Sequence, residues 1–191
     1  MKSLLVTLIL LNVHFLFSQA PRPAAKKTPD VFEEAYIVTL KGDTVRGHIK
    51  LPKGKLVEIY QKINFRDNKN KIKLLTPDKI SGYGYKNYYY ISAFLEDKSC
   101  FFKVLSKGKL SLFQTVFDIP DEGLVEELCV MEDKADAHFK VLEEDGIKKQ
   151  LKEIFKSNKP LVQKIMEQKQ FDFSTDTIQF YINEYNKAYV N

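Results

Sequence analysis

"YYYISAFLEDKSCFFKVLSKGKLSLFQTVF", residues Tyr88 to Phe117, is three apolar runs separated by two short polar breaks. Tyr88 to Leu95, Ser99 to Leu105 and Lys109 to Phe117 read as consecutive strands. The breaks, "EDK" and "SKGK", have the length of hairpin turns. Cys100, Phe102 and Val104 share one face of their strand, and Leu110, Leu112 and Val116 share one face of the next. Three adjacent strands joined by hairpins predict an antiparallel sheet.

The sheet extends upstream. In "EAYIVTL-KGDT-VRGHIK", Val45, Gly47 and Ile49 alternate with Thr44, Arg46 and His48, the period of a half-buried strand. Gly42-Asp43 is a turn signal, so Ala35 to Lys50 is predicted as a hairpin. "LVEIYQKINF" also alternates, with Val57, Ile59, Ile63 and Phe65 on one side, and is expected as a strand. "RDNKNK" is a polar turn before a short "IKLL". "TPDKI" starts a loop or a single helical turn, with Thr76 as cap and Pro77 at the first position.

Downstream, "IPDEG" is a loop, and Val125 to Met131 and Ala137 to Leu142 add two edge strands. The period then changes. Ile147, Leu151, Ile154 and Phe155 fall on one helical face, with Asp145 as the expected cap. Asn158 and Pro160 open a second helix. Ser174 caps a third, carrying the stripe Ile178, Tyr181, Ile182, Tyr185 and Tyr189. Strands first and helices last is the α+β order: an N-terminal antiparallel sheet, partial barrel or roll, covered by two to three C-terminal helices. One domain is expected over 34–191, β-rich over 34–145 and helical over 146–191.

The N-terminus reads differently. After Met1-Lys2, Ser3 to Phe17 is almost wholly apolar and too short to span a bilayer comfortably. A small-residue exit follows, so residues 1–18 are expected to be a secretory signal peptide, with an alternative end at 20. Residues 19–33, rich in Pro, Ala and Lys, read as a tether. Export places the protein in the periplasm, outside the cell or at the outer membrane, with no transmembrane segment after cleavage. Cys100 and Cys129 are the two cysteines of the chain. A bridge between them would add roughly 3 kcal/mol; two buried free thiols are the alternative. The core must come from the 44% apolar content, and about 170 mature residues suffice for one domain.

The motifs "YIVTLKGDTVRGHI" and "LTPDKISGYGY", with the closing Tyr185-Asn186, resemble a recurrent group of small exported proteins of Bacteroidetes bacteria. The likeness covers most of the mature chain. It implies compartment and fold, and it carries no catalytic residues across.

Signatures of chemistry are sparse. His48 and His138 are the two histidines after the leader, and no paired-histidine, HExxH or CxxC spacing surrounds them. Ser106-Lys107-Gly108-Lys109 matches Ser-x-x-Lys, but in a hairpin turn and not at a helix start. Asp118, Asp121 and Glu122 could chelate calcium weakly; a solvated acidic loop is the simpler reading. No cofactor and no metal site are expected.

Charge is segregated. Lys41 to Lys73 holds ten Lys/Arg and three Asp/Glu, net +7, whereas Asp118 to Asp145 holds eleven Asp/Glu and two Lys, net −9. Basic hairpins suit an anionic partner, although lysine also guards exposed strand edges. Nucleic acid does not fit an exported protein without a basic-aromatic platform. In "ISGYGYKNYYYIS", Ile80 to Ser92, five of the eight positions from 83 to 90 are tyrosine. Sheet packing explains them first. If they form a surface, Tyr83, Tyr85, Tyr88 and Tyr90 are its candidates, together with Lys53, Lys55 and Arg66. Tyr89 points the opposite way. The expected function is a non-catalytic envelope protein that binds or supports a protein, a glycan or an anionic lipid surface. The alternatives are a hydrolase of an envelope polymer and a subunit of an envelope assembly.

Overall fold

The computed structural model describes residues 30–54, 57–95, 97–134 and 138–189. The signal-peptide reading, most of the tether and Lys55 lie outside them. In chain order the strands are β1 (Phe32–Thr39), β2 (Thr44–Lys50), β3 (Ile63–Asp67), β4 (Ile72–Leu75) and β5 (Ile80–Tyr85), then β6 (Tyr88–Leu95), β7 (Lys98–Ser106), β8 (Leu110–Ile119), β9 (Gly123–Glu132) and β10 (Lys140–Leu142). A one-turn helix, α1 (Glu58–Gln61), follows β2, and α2 (Ile147–Ile154), α3 (Lys159–Met166) and α4 (Thr175–Lys187) close the chain.

The fold is α+β. One antiparallel sheet of 10 strands runs in the order β10-β9-β8-β7-β6-β5-β1-β2-β3-β4 and is not closed into a barrel. Most neighbours are sequential hairpins, and the exception is β1, which pairs with both β2 and β5. The β1–β2 turn needs a backbone at φ +90° at Gly42, which glycine adopts without a Cβ clash.

All four helices pack on one face of the sheet. Under α1 lie Ile37, Ile49, Phe65, Ile80, Tyr83, Tyr90 and Phe101. Under α2 to α4 lie Leu110, Leu112, Leu128, Val130 and Leu142, met by Leu151, Phe155, Ile165, Ile178 and Ile182. β8 joins the two regions, because Leu110, Leu112 and Val116 share its inner side.

The opposite face carries a smaller cluster of Cys100, Phe102, Phe113 and Cys129. The ring of Phe139 closes it, 4.5 Å from Phe102 and 5.1 Å from Phe113. Both thiols are free and buried, so of the two alternatives the bridge is not the one formed. The reason is topological: β8 separates β7 from β9, two strand spacings of about 4.8 Å, and a disulfide needs Cα atoms within about 7 Å.

Several expectations need correction. Residues 57–62 are not strand. Val57, Ile59 and Tyr60 are all buried, and a single helical turn presses them onto the sheet before the chain re-enters it at Ile63. Short apolar runs do not separate the two states by periodicity. β9 is an interior strand, since it pairs with both β8 and β10. Strand β1 starts at Phe32, inside the expected tether. Helix α2 is capped by Gly146 at φ 77°, without a side-chain bond from Asp145. The Asn158 and Ser174 caps form, accepting from Leu161 N and Thr177 N. Tyr189 lies beyond α4 and is exposed.

Candidate functional site

The tyrosine run folds as the β5–β6 hairpin, turning at Lys86 and Asn87. Its register sets Tyr83 opposite Tyr90 and Tyr85 opposite Tyr88, so four rings share a face. That face is the helix-covered one. Tyr83 and Tyr90 are 0% and 2% exposed. Their rings stack at 4.5 Å, and Phe101 meets Tyr83 edge-on at 4.9 Å. The Tyr83 hydroxyl donates to the Ile59 carbonyl at 2.7 Å, tying α1 to the sheet. Burial holds the Tyr83 and Tyr90 phenols well above the ordinary tyrosine range and pushes Tyr60 up to about 12. Tyr83, Tyr85 and Tyr90 are therefore core and not a stacking surface. Tyr88 alone among the four candidates is exposed, with the Lys103 ammonium 4.7 Å from its ring centre.

The basic candidates do not join them. Lys53 lines a separate cleft of about 220 Å³ with Lys50, Lys62 and Asp30, and its ammonium lies 3.5 Å from Asp30. Arg66 sits on the opposite side of the sheet, its guanidinium 3.9 Å over the Phe32 ring.

Two grooves lie on that opposite face. Tyr36 of β1 lies across β5, and a Cβ added to Gly84 would fall 2.5 Å from Tyr36 Cζ. Glycine is required there, and the space it leaves is filled by the protein's own ring. Tyr36 and Tyr89 face each other at 6.4 Å, 17° from parallel. A groove of about 650 Å³ runs toward β2 and the β3–β4 turn, lined by Glu34, Tyr36, Arg46, His48, Asn68 and Lys86. A second, of about 560 Å³, runs toward β6 and β7, lined by Tyr36, Asn87, Tyr89, Val104, Ser106 and Lys107. Tyr36 is the ridge common to both. The Lys107 ammonium lies 4.6 Å over the Tyr89 ring. Burial, then Tyr36, raises the Tyr89 phenol.

The ionisable side chains lining the first groove are Glu33, Glu34, Arg46, His48 and Lys86. Glu33 and Glu34 are adjacent on a strand, so their carboxylates diverge to opposite faces, and Glu33 is paired with Lys86 at 3.1 Å. The thiols lie outside both grooves; burial raises Cys100 and pushes Cys129 up to about 12. Among the described residues, no three His, Cys, Asp or Glu side chains are placed to hold a metal ion. Among them, too, no helix is long and apolar enough to cross a membrane.

No protein-family model matches the chain, and no curated protein or solved structure is significantly similar to it.

Tyr36, Arg46, Tyr89 and Lys107 were not singled out from sequence. One signal was present: Tyr89 has the opposite parity to its tyrosine neighbours, so it must leave the face they occupy. Its partner Tyr36 is 53 positions away in the chain, and only the β1–β5 pairing brings them together.

Proposed function

We propose that this protein is an exported, non-catalytic binding module of the cell envelope, and that its ligand is a glycan strand lying across the open face of the sheet. The observation that carries this reading is the Tyr36 ridge between two polar grooves. Sugars offer apolar C–H faces to aromatic rings and hydroxyls to amides, carboxylates and guanidinium groups. Tyr36 and Tyr89 supply the rings; Glu34, Arg46, His48, Asn68 and Asn87 supply the polar partners. The two rings are half-buried and braced by the sheet, so little side-chain freedom is lost on binding. Export rests on the apolar Ser3 to Phe17 segment and on the resemblance to exported proteins of Bacteroidetes.

The test is affinity electrophoresis through gels containing soluble envelope polysaccharides of the source organism, with dextran as control. The expected result is retardation of the wild type. Tyr36→Ala and Arg46→Ala should each weaken binding by about 1.5 kcal/mol, roughly tenfold in Kd. No retardation by any envelope polysaccharide, or retardation unaffected by both variants, would discard the reading. Fractionation with N-terminal sequencing tests export: full-length chain in the cytosol refutes it.

A further inference from the structure

The helical layer has an outward side of its own. Leu151 of α2 and Leu161 and Ile165 of α3 point into the core, which turns Lys149, Lys152, Lys156 and Lys159 to solvent. From Lys148 to Lys169 there are seven lysines against Glu153 and Glu167, net +5. Among the described residues none of those four solvent-facing lysines makes an ion pair. The lysines frame apolar ground. A groove of about 720 Å³ is floored by Ile147, Met166 and Phe171 among Lys148, Lys149 and Lys152, with Glu144 at its edge. A second of about 310 Å³ holds Val162 among Lys152, Lys156 and Lys159, with one carboxylate, Glu153. Lys152 borders both, so they form one strip along the α2–α3 seam. Met166, which lines the first groove, is 45% exposed, and Phe180 of α4 is 46% exposed, with the Lys164 ammonium of α3 4.9 Å over its ring. Lys148 donates to the Met166 and Gln168 carbonyls at 3.0 and 2.6 Å, fixing the start of α2 to the end of α3.

We propose that this strip docks the protein on an anionic phospholipid bilayer. Unpaired ammonium groups around exposed apolar side chains match a negatively charged headgroup layer over acyl chains. The lysine stems cover the apolar floor while their heads stay at the phosphates. Met166 and Phe180 enter the boundary beneath the headgroups. The helices cover one face of the sheet and the Tyr36 grooves open on the other, so docking leaves the grooves facing away from the bilayer. The inference does not rest on the glycan reading.

Co-sedimentation of the full chain with phosphatidylcholine vesicles, with and without phosphatidylglycerol, tests it. The readout is the ratio of anionic to neutral partitioning, because the apolar segment 3–17 would enter both kinds of vesicle alike. The wild type is expected to prefer anionic vesicles, and salt should erase the preference. The Lys152→Glu/Lys156→Glu double variant should lower the ratio by at least about tenfold. Lys152→Gln/Lys156→Gln should lower it less, and Arg46→Glu on the other face should leave it unchanged. Circular dichroism checks that each variant is folded. A wild-type ratio of one, a ratio insensitive to the lysine variants, or loss on Arg46→Glu alone would overturn the proposal.

Discussion

Asn186 of α4 holds Leu110, at the start of β8, by both of its backbone groups. Its Nδ2 donates to the Leu110 carbonyl at 2.8 Å and its Oδ1 accepts the Leu110 amide at 2.9 Å. The side-chain amide thus stands where a neighbouring strand would pair. Two more α4 residues act on the same turn: Gln179 Nε2 donates to the Leu105 carbonyl at 2.6 Å, and Ser106 Oγ donates to Asn183 Oδ1 at 2.6 Å. The Ser106-Lys107-Gly108-Lys109 segment is therefore the seat of the last helix. Gly108 leaves room for that grip, since a Cβ there would lie 2.5 Å from Asn186 Cγ.

Asn186→Ala should strip the buried Leu110 amide and carbonyl of their partners. Each orphaned group costs about 1–3 kcal/mol, so a loss of about 3 kcal/mol is expected in urea unfolding. Gly108→Ala should displace the same side chain. The double variant should then lose clearly less than the sum of the two single losses, as coupled neighbours do. Additive losses would show that the two residues do not act on each other.

The tyrosines separate by burial. Tyr83→Phe removes the bond to the Ile59 carbonyl and should cost about 1–2 kcal/mol. Tyr83→Ala should cost about 3–5 kcal/mol, through the cavity it leaves among stacked rings. Tyr88→Ala, at an exposed site, should stay within about 0.5 kcal/mol. Equal losses at positions 83 and 88 in thermal or urea unfolding would contradict the burial of Tyr83 and the exposure of Tyr88.

Cys100 and Cys129 should be silent in the folded protein. Both are buried and their pKa values are raised by burial, so the reactive thiolate is scarce. The expected outcome is no reaction with an aromatic disulfide reagent at neutral pH, and two thiols titrated after denaturation without reductant. Finding none in the denatured chain would mean that a bridge had formed.

The sheet was legible because its strands alternate strictly and its turns carry Gly42-Asp43 and short lysine-rich breaks. The Asn158 and Ser174 caps were legible for the same local reason. What failed depends on distant chain. Residues 57–65 alternate as a strand would, but Tyr60 packs edge-on against Tyr90, 5.7 Å away across the fold. The parity of Tyr83, Tyr85, Tyr88 and Tyr90 was readable; which face the helices would cover was not. The charge blocks drew attention to the β2–β4 and β9 regions. The lysines of α2 and α3 carry a local signal too: Lys148, Lys152 and Lys156 recur every four positions, the spacing of one helical side.

The tyrosine core also sets a limit on alkaline stability. Tyr60 is raised to about 12 from an ordinary 10, and Tyr83 and Tyr90 are raised as well, in each case mainly by burial. A raised folded-state pKa means that the unfolded chain ionises first. The stabilisation is complete below pH 10, the ordinary value, and is lost as pH climbs toward the folded values. Above pH 10 each of the three tyrosines should lower stability by about 1.4 kcal/mol per pH unit, so their effects compound. Thermal midpoints should be flat from neutral pH to about pH 9 and fall steeply beyond pH 10. Tyrosinate ultraviolet absorbance should rise in the same step in which helix and sheet signals collapse. Tyr60→Phe removes one of these groups together with its long contact to Gln114, and it should make the decline shallower. A smooth tyrosinate titration centred near the ordinary value, with the fold intact, would show that these rings reach water and that the core is not packed as described.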